Sequence, residues 1–100
     1  MPKKCKVTIS ERAENNLDEI IKYLDQEWGD KVKNNFLGKL IKIQHLISTN
    51  PFLFMEFSKQ KKIHRCLVTK HNFLFYKILK NEVQIITIHD TRKNPNKIKL

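Results

Sequence analysis

The sequence predicts an α+β domain, ordered β-α-α-β-β-β, with a helical hairpin packed on one face of a mainly antiparallel four-stranded sheet. Three observations predict it: an alternating segment near the start, two consecutive apolar stripes at helical spacing, and three strand-like segments separated by short turns.

From Lys4 to Ile9 the residues alternate, with Cys5, Val7 and Ile9 on one side. Ser10 then offers an N-cap, and Glu11 and Glu14 stand in a first turn where the helix dipole favours negative charge. Ala13, Leu17, Ile20, Ile21, Leu24 and Trp28 follow in steps of three and four, the stripe of an amphipathic helix. Gly29 is placed to end it in left-handed geometry, and Asp30 to cap the next helix. The second stripe (Val32, Phe36, Leu37, Leu40, Ile41, Ile43, Leu46, Ile47) is broader and reads as the more buried helix. Asn50-Pro51 closes it, because proline disfavours helical geometry in the residue before it. With almost no loop between them, the helices form an antiparallel pair.

Residues 51–61 read as a loop with apolar anchors and a basic run. The segments Ile63–Thr69, Asn72–Leu79 and Val83–His89 read as strands, joined at Lys70-His71 and at Lys80-Asn81-Glu82 into a meander. The last two are apolar on both sets of alternating positions, with Phe73, Phe75, Val83 and Ile85 on one and Leu74, Ile78, Ile86 and Ile88 on the other. A one-sided sheet alternates more cleanly, so the loop, the tail or a partner is expected to cover the second face.

At 100 residues the chain is read as one domain spanning 1–100. No apolar run reaches the roughly 20 residues of a membrane span, and the charged start carries no hydrophobic stretch of a signal peptide, so a cytoplasmic protein without membrane contact is expected. Cys5 and Cys66 lack metal-ligand spacing and read as small buried hydrophobes, with no metal or cofactor implied. Residues 1–50 carry nine Lys/Arg against seven Asp/Glu, whereas residues 51–100 carry eleven against three. That concentration of positive charge points to RNA, DNA, the ribosome or an acidic protein partner.

Val7-Thr8-Ile9-Ser10 followed by Ala13, Leu17, Ile20 and Tyr23-Leu24, then Trp28-Gly29, Leu46 and Asn50-Pro51, resembles the opening of ParE-like toxins. Leu67-Val68-Thr69-Lys70-His71, Phe75-Tyr76 and the close His89-Asp90-Thr91-Arg92-Lys93-Asn94-Pro95 continue the likeness over nearly the whole length. The chain thus resembles the RelE/ParE superfamily, closer to the ParE-like branch. The resemblance implies a toxin of a bacterial type II toxin–antitoxin system, encoded beside an antitoxin whose C-terminal segment wraps it. ParE-like members poison DNA gyrase; RelE-like members cut mRNA in the ribosome with basic residues on the sheet and often a tyrosine near the C-terminus. This chain has Phe73 at the RelE basic position and Ile98 at the RelE tyrosine. Gyrase inhibition is therefore the leading expectation. A ribosome-dependent endoribonuclease and a non-toxic basic nucleic-acid-binding module are the alternatives.

RNA cleavage through the 2′-hydroxyl needs a base, an acid and a cation for the phosphorane. His64, His71, His89, Tyr76, Arg65 and Arg92 are the side chains able to serve. His89, Asp90 and Arg92 form the best cluster: a base, a carboxylate to orient it and a fixed positive charge. The structural alternative is that Asp90 pairs with Arg92 and pins the tail. Lys59, Lys61, Lys62, Arg65, Lys70 and His71 are candidate contacts for phosphate or an acidic partner. Tyr76 reads as a core residue with a bonded hydroxyl, and His45 as structural.

Overall fold

Lys6–Ile9 forms strand β1, and Ser10 turns the chain into helix α1, Glu11–Glu27, by accepting the Ala13 N–H on its hydroxyl oxygen at 3.1 Å. The computed structural model describes residues 5–92. Helix α1 ends as expected, with the N–H groups of Trp28 and Gly29 both reaching the Leu24 carbonyl and Gly29 at φ +86°. Helix α2, Asp30–Thr49, begins one residue earlier than the sequence implies. Gly29 is its N-cap and Asp30 its first helical residue, so Asp30 caps nothing and pairs with Lys33 at 3.4 Å instead. Helix α2 stops at Asn50, before Pro51. It buries the stripe Phe36, Leu40, Ile43 and Ile47, while Ile41 stays 67% exposed.

The sheet has five strands, not four. Within the segment read as loop, Glu56–Ser58 pairs with the next strand as β2. Strands β3 (Ile63–Thr69), β4 (Asn72–Leu79) and β5 (Glu82–Asp90) complete an antiparallel meander, and β1 adds in parallel to β5, giving the order β1-β5-β4-β3-β2. Three residues suffice for β2 because it needs only the free edge of β3, a signal too short to show as alternation.

One irregularity explains the doubly apolar pattern of β5. Phe75 lies opposite Thr87, but Tyr76 lies opposite Ile85, so Ile86 is an extra residue bulged out of β5. The bulge reverses the alternation along β5. Val83, Ile85 and Ile88 therefore all join Leu74, Tyr76, Cys66 and Val68 in the core beneath the helices. The polar groups around the bulge are taken up by the start of α1: the Ser10 hydroxyl donates to the Ile86 carbonyl at 3.1 Å, and the Asn16 side chain accepts the Ile88 N–H at 3.2 Å. The opposite face carries Arg65 and Leu67 from β3, Phe73 and Phe75 from β4, and Thr87 and His89 from β5, as the registers require. No described helix is long and apolar enough to cross a membrane.

Candidate functional site

Antiparallel pairing arranges the open face as a grid. Leu67, Phe73 and His89 lie in one row across β3, β4 and β5, and Arg65, Phe75 and Thr87 in the next. Phe57, from the short β2, leans over the second row with its ring edge-on to Phe75 at 5.1 Å. The Arg65 guanidinium lies between two rings, 5.5 Å from the centroid of Phe57 and 5.2 Å from that of Phe73. Guanidinium groups bind aromatic faces through the ring quadrupole, which orients the charge without neutralising it. Leu67 is 53% exposed and Phe57 49% exposed, so the face combines accessible apolar surface with a fixed cation. Phe75 beneath it is buried.

The sheet separates the three residues of the C-terminal cluster. His89 stands on the open face opposite Phe73, and the next residue, Asp90, points to the helix side, where it is buried. The Asp90 carboxylate accepts hydrogen bonds from the Asn72 amide at 2.7 Å, from the Arg92 backbone at 2.8 Å and from the Arg92 guanidinium at 3.1 and 3.3 Å. Burial pushes the Asp90 carboxyl up, but the bonds from Arg92 and Asn72 outweigh it and hold it below the usual carboxylate range. Arg92 in turn lies over the Trp28 ring at 5.1 Å. Thr69 extends this network by donating its hydroxyl to the Asn72 side-chain oxygen at 2.5 Å, leaving the Asn72 amide hydrogens to face Asp90.

The remaining basic candidates fall in two turns. Lys70 and His71 form the β3–β4 turn and, with Arg92 and with Asn35 and Lys39 of α2, line a cleft of about 290 Å³. Lys59, Lys61 and Lys62 form the β2–β3 turn. His64 and Tyr76 are core-side residues. The Tyr76 hydroxyl donates to the Pro51 carbonyl at 2.7 Å, and burial pushes that phenol up to about 12. Burial likewise raises the Cys66 thiol to about 12, so neither ionises near neutral pH. His45 is exposed on α2. Among the described residues no group of three or more His, Cys, Asp or Glu side chains gathers as a metal site. Ile98 lies outside the described residues.

Sequence reasoning missed the aromatic partners of the two arginines. Phe57 was hidden in an apparent loop, and the Trp28–Arg92 contact joins positions 64 apart (92 minus 28) that no local pattern connects.

Residues 7–95 match the family model of the ParE toxin of the type II toxin–antitoxin system parDE. The chain belongs to the ParE toxin family. Among solved structures, this ParE-family chain is similar to one described as the chromosomal ParDE system from P. aeruginosa, at a TM-score of 0.72 and 11% identity, covering 87% of this chain and 96% of that one. It is also similar to a chain of the YoeB–YefM complex from Staphylococcus aureus, with a TM-score of 0.59, 16% identity and coverage of 85% and 94%. A third likeness is to the E. coli DinJ–YafQ toxin–antitoxin complex, with a TM-score of 0.60, 12% identity and coverage of 91% and 97%. At these identities the likeness is one of fold. A search of curated proteins found no match. Two expectations are met here: the superfamily with its ParE-like branch, and the α+β architecture.

Proposed function

We propose that this ParE-family chain arrests growth by binding DNA gyrase, and that a cognate antitoxin neutralises it by laying an acidic, apolar segment across the open sheet face. The observation that carries the gyrase reading is Phe73. It stands at the centre of that face, where RelE-like toxins place a basic residue, and makes the site a docking surface for rings and aliphatic groups. The Arg65 guanidinium above it is oriented for a carboxylate, which suits an acidic partner. The solved complexes named above pair related folds with antitoxins, which supports the same partner class here. Inhibition of supercoiling by the purified protein, with translation of a reporter mRNA intact, is the expected result. Codon-linked mRNA cuts in a translating extract with supercoiling unaffected would overturn the gyrase mode.

The second reading, a ribosome-dependent endoribonuclease, draws on the placement of Arg65 and His89 on one face. It predicts that Arg65→Ala and His89→Ala each abolish mRNA cuts. Because Arg92 is bound to Asp90, Arg92→Ala would act through stability instead. If cleavage survives both Arg65→Ala and His89→Ala, this second reading fails.

A further inference from the structure

On the helix side of the sheet, away from the open face, a cavity of about 450 Å³ lies between the 51–55 segment and the β2–β3 turn. That volume is within the range of small-ligand sites, roughly 300–1,000 Å³. It is lined by Phe52, Glu56, Lys59, Lys62, His64 and Ile78.

The polar groups here are built rather than scattered. His64 is 6% exposed, and its Nδ1 lies 2.9 Å from the Phe54 carbonyl. A carbonyl only accepts, so Nδ1 carries a proton, and in that tautomer Nε2 is the ring's acceptor. Tyr76 fixes the ring plane by stacking on it at 5.3 Å and 17°. Nε2 has no protein partner among the described residues. Glu56 lies directly opposite His64 in the β2–β3 register, so the two acceptors stand on the same side of the sheet. The Lys62 N–H bonds the Lys59 carbonyl at 3.3 Å, and Lys62 adopts φ +55°, a tight turn that brings both lysines to the cavity. Among the described residues Glu56, Lys59 and Lys62 form no ion pair. Phe52, 73% exposed and edge-on to His64 at 6.0 Å, supplies a free aromatic surface.

We infer that this cavity binds a ribonucleotide unit: Lys59 and Lys62 hold its phosphate, His64 Nε2 and the Glu56 carboxylate accept from the ribose hydroxyls, and the base lies against Phe52. The donor and acceptor sets match each part. Ammonium groups suit phosphate oxygens, two acceptors suit a vicinal diol, and any base offers a π-face. An acidic peptide would satisfy the lysines but would place its carboxylates against Glu56. The proposal goes beyond the gyrase reading and involves a different part of the molecule.

The test is an NMR titration of ¹⁵N-labelled full-length protein with adenosine 5′-monophosphate. The expected result is millimolar binding, with shifts concentrated at residues 52–64 and Ile78. Deoxyadenosine monophosphate should bind at least about threefold more weakly. The variants Phe52→Ala and Lys59→Ala/Lys62→Ala, all at exposed positions, should each weaken binding about tenfold while leaving the spectrum elsewhere unchanged. A single-stranded RNA tetranucleotide binding the same residues more tightly than the monophosphate would assign the nucleotide to a chain; equal binding would assign it to the free form. The proposal is overturned by equal binding of the ribo- and deoxyribonucleotide, by inorganic phosphate reproducing the shifts, or by an acidic peptide shifting these residues where the nucleotide does not. Any of those results would leave the supercoiling experiment and its reading untouched.

Discussion

Asp90 shows how one carboxylate can fix a chain segment. It is fully buried and depends on Asn72 and Arg92 for every hydrogen bond described above, so its removal leaves those donors facing an empty site. Asp90→Ala is expected to destabilise the fold by about 3 kcal/mol, read as a lowered urea midpoint. The same pairing gives a pH dependence. Because the folded-state pKa lies below the ordinary carboxylate value of 3.8, the contribution is fully present above that value. It is lost as pH falls through the lower folded-state pKa. Acid titration of wild type and Asp90→Asn by circular dichroism checks this: the variant should lose less stability as pH falls below about 4. Arg65 is a contrasting case. Its charge is oriented by Phe57 and Phe73 but paired with no described carboxylate, so Arg65→Ala should leave stability within about 1 kcal/mol while weakening antitoxin binding.

At the scale of elements, Ser10 and the Ile86 bulge depend on each other. The hydroxyl both caps α1 and bonds the bulged carbonyl, so Ser10→Ala removes two interactions at once and should cost about 2 kcal/mol by chemical denaturation. Deleting Ile86 would remove the bulge, and plain alternation would then keep Val83, Ile85 and Ile88 all on the core side. The folded spectrum is expected to persist, with stability lowered by loss of the Ser10–Ile86 hydrogen bond, whereas inserting a second residue there would invert the side chains beyond it and unfold the chain. The helices, their boundaries at Ser10, Gly29 and Asn50, and the strands 63–69 and 72–79 are legible in the sequence because caps, stripes and turns are local signals. The bulge and β2 are not legible, because each is defined by what lies across the sheet. For the same reason the string His89-Asp90-Thr91-Arg92 reads as one cluster along the chain, whereas the sheet puts His89 and Asp90 on opposite sides.

At the scale of the whole molecule, residues 51–100 carry eleven Lys/Arg against three Asp/Glu. Encounter with an acidic antitoxin should therefore be steered by charge, and its association rate should fall about tenfold or more between low and physiological salt, with a much smaller change in dissociation. Stopped-flow mixing at graded ionic strength checks this. The composition pointed to a nucleic acid or an acidic protein without choosing between them. Only the folded sheet shows that Arg65, and not the lysine-rich turns, is the cation set into apolar surface.

The pairing of β1 with β5 sets an order of events during synthesis. Strand β1 and helix α1 are made well before the strand they need, because among the described residues β5 is the strand partner of β1 and α1 packs mainly on it. A nascent chain stopped before residue 82 has a helical pair and part of a meander, but neither the completed sheet nor a seated α1. The open face thus forms only once β5 has been made, and a chain grown no further than β4 has no finished surface with which to strike its target or to meet its antidote.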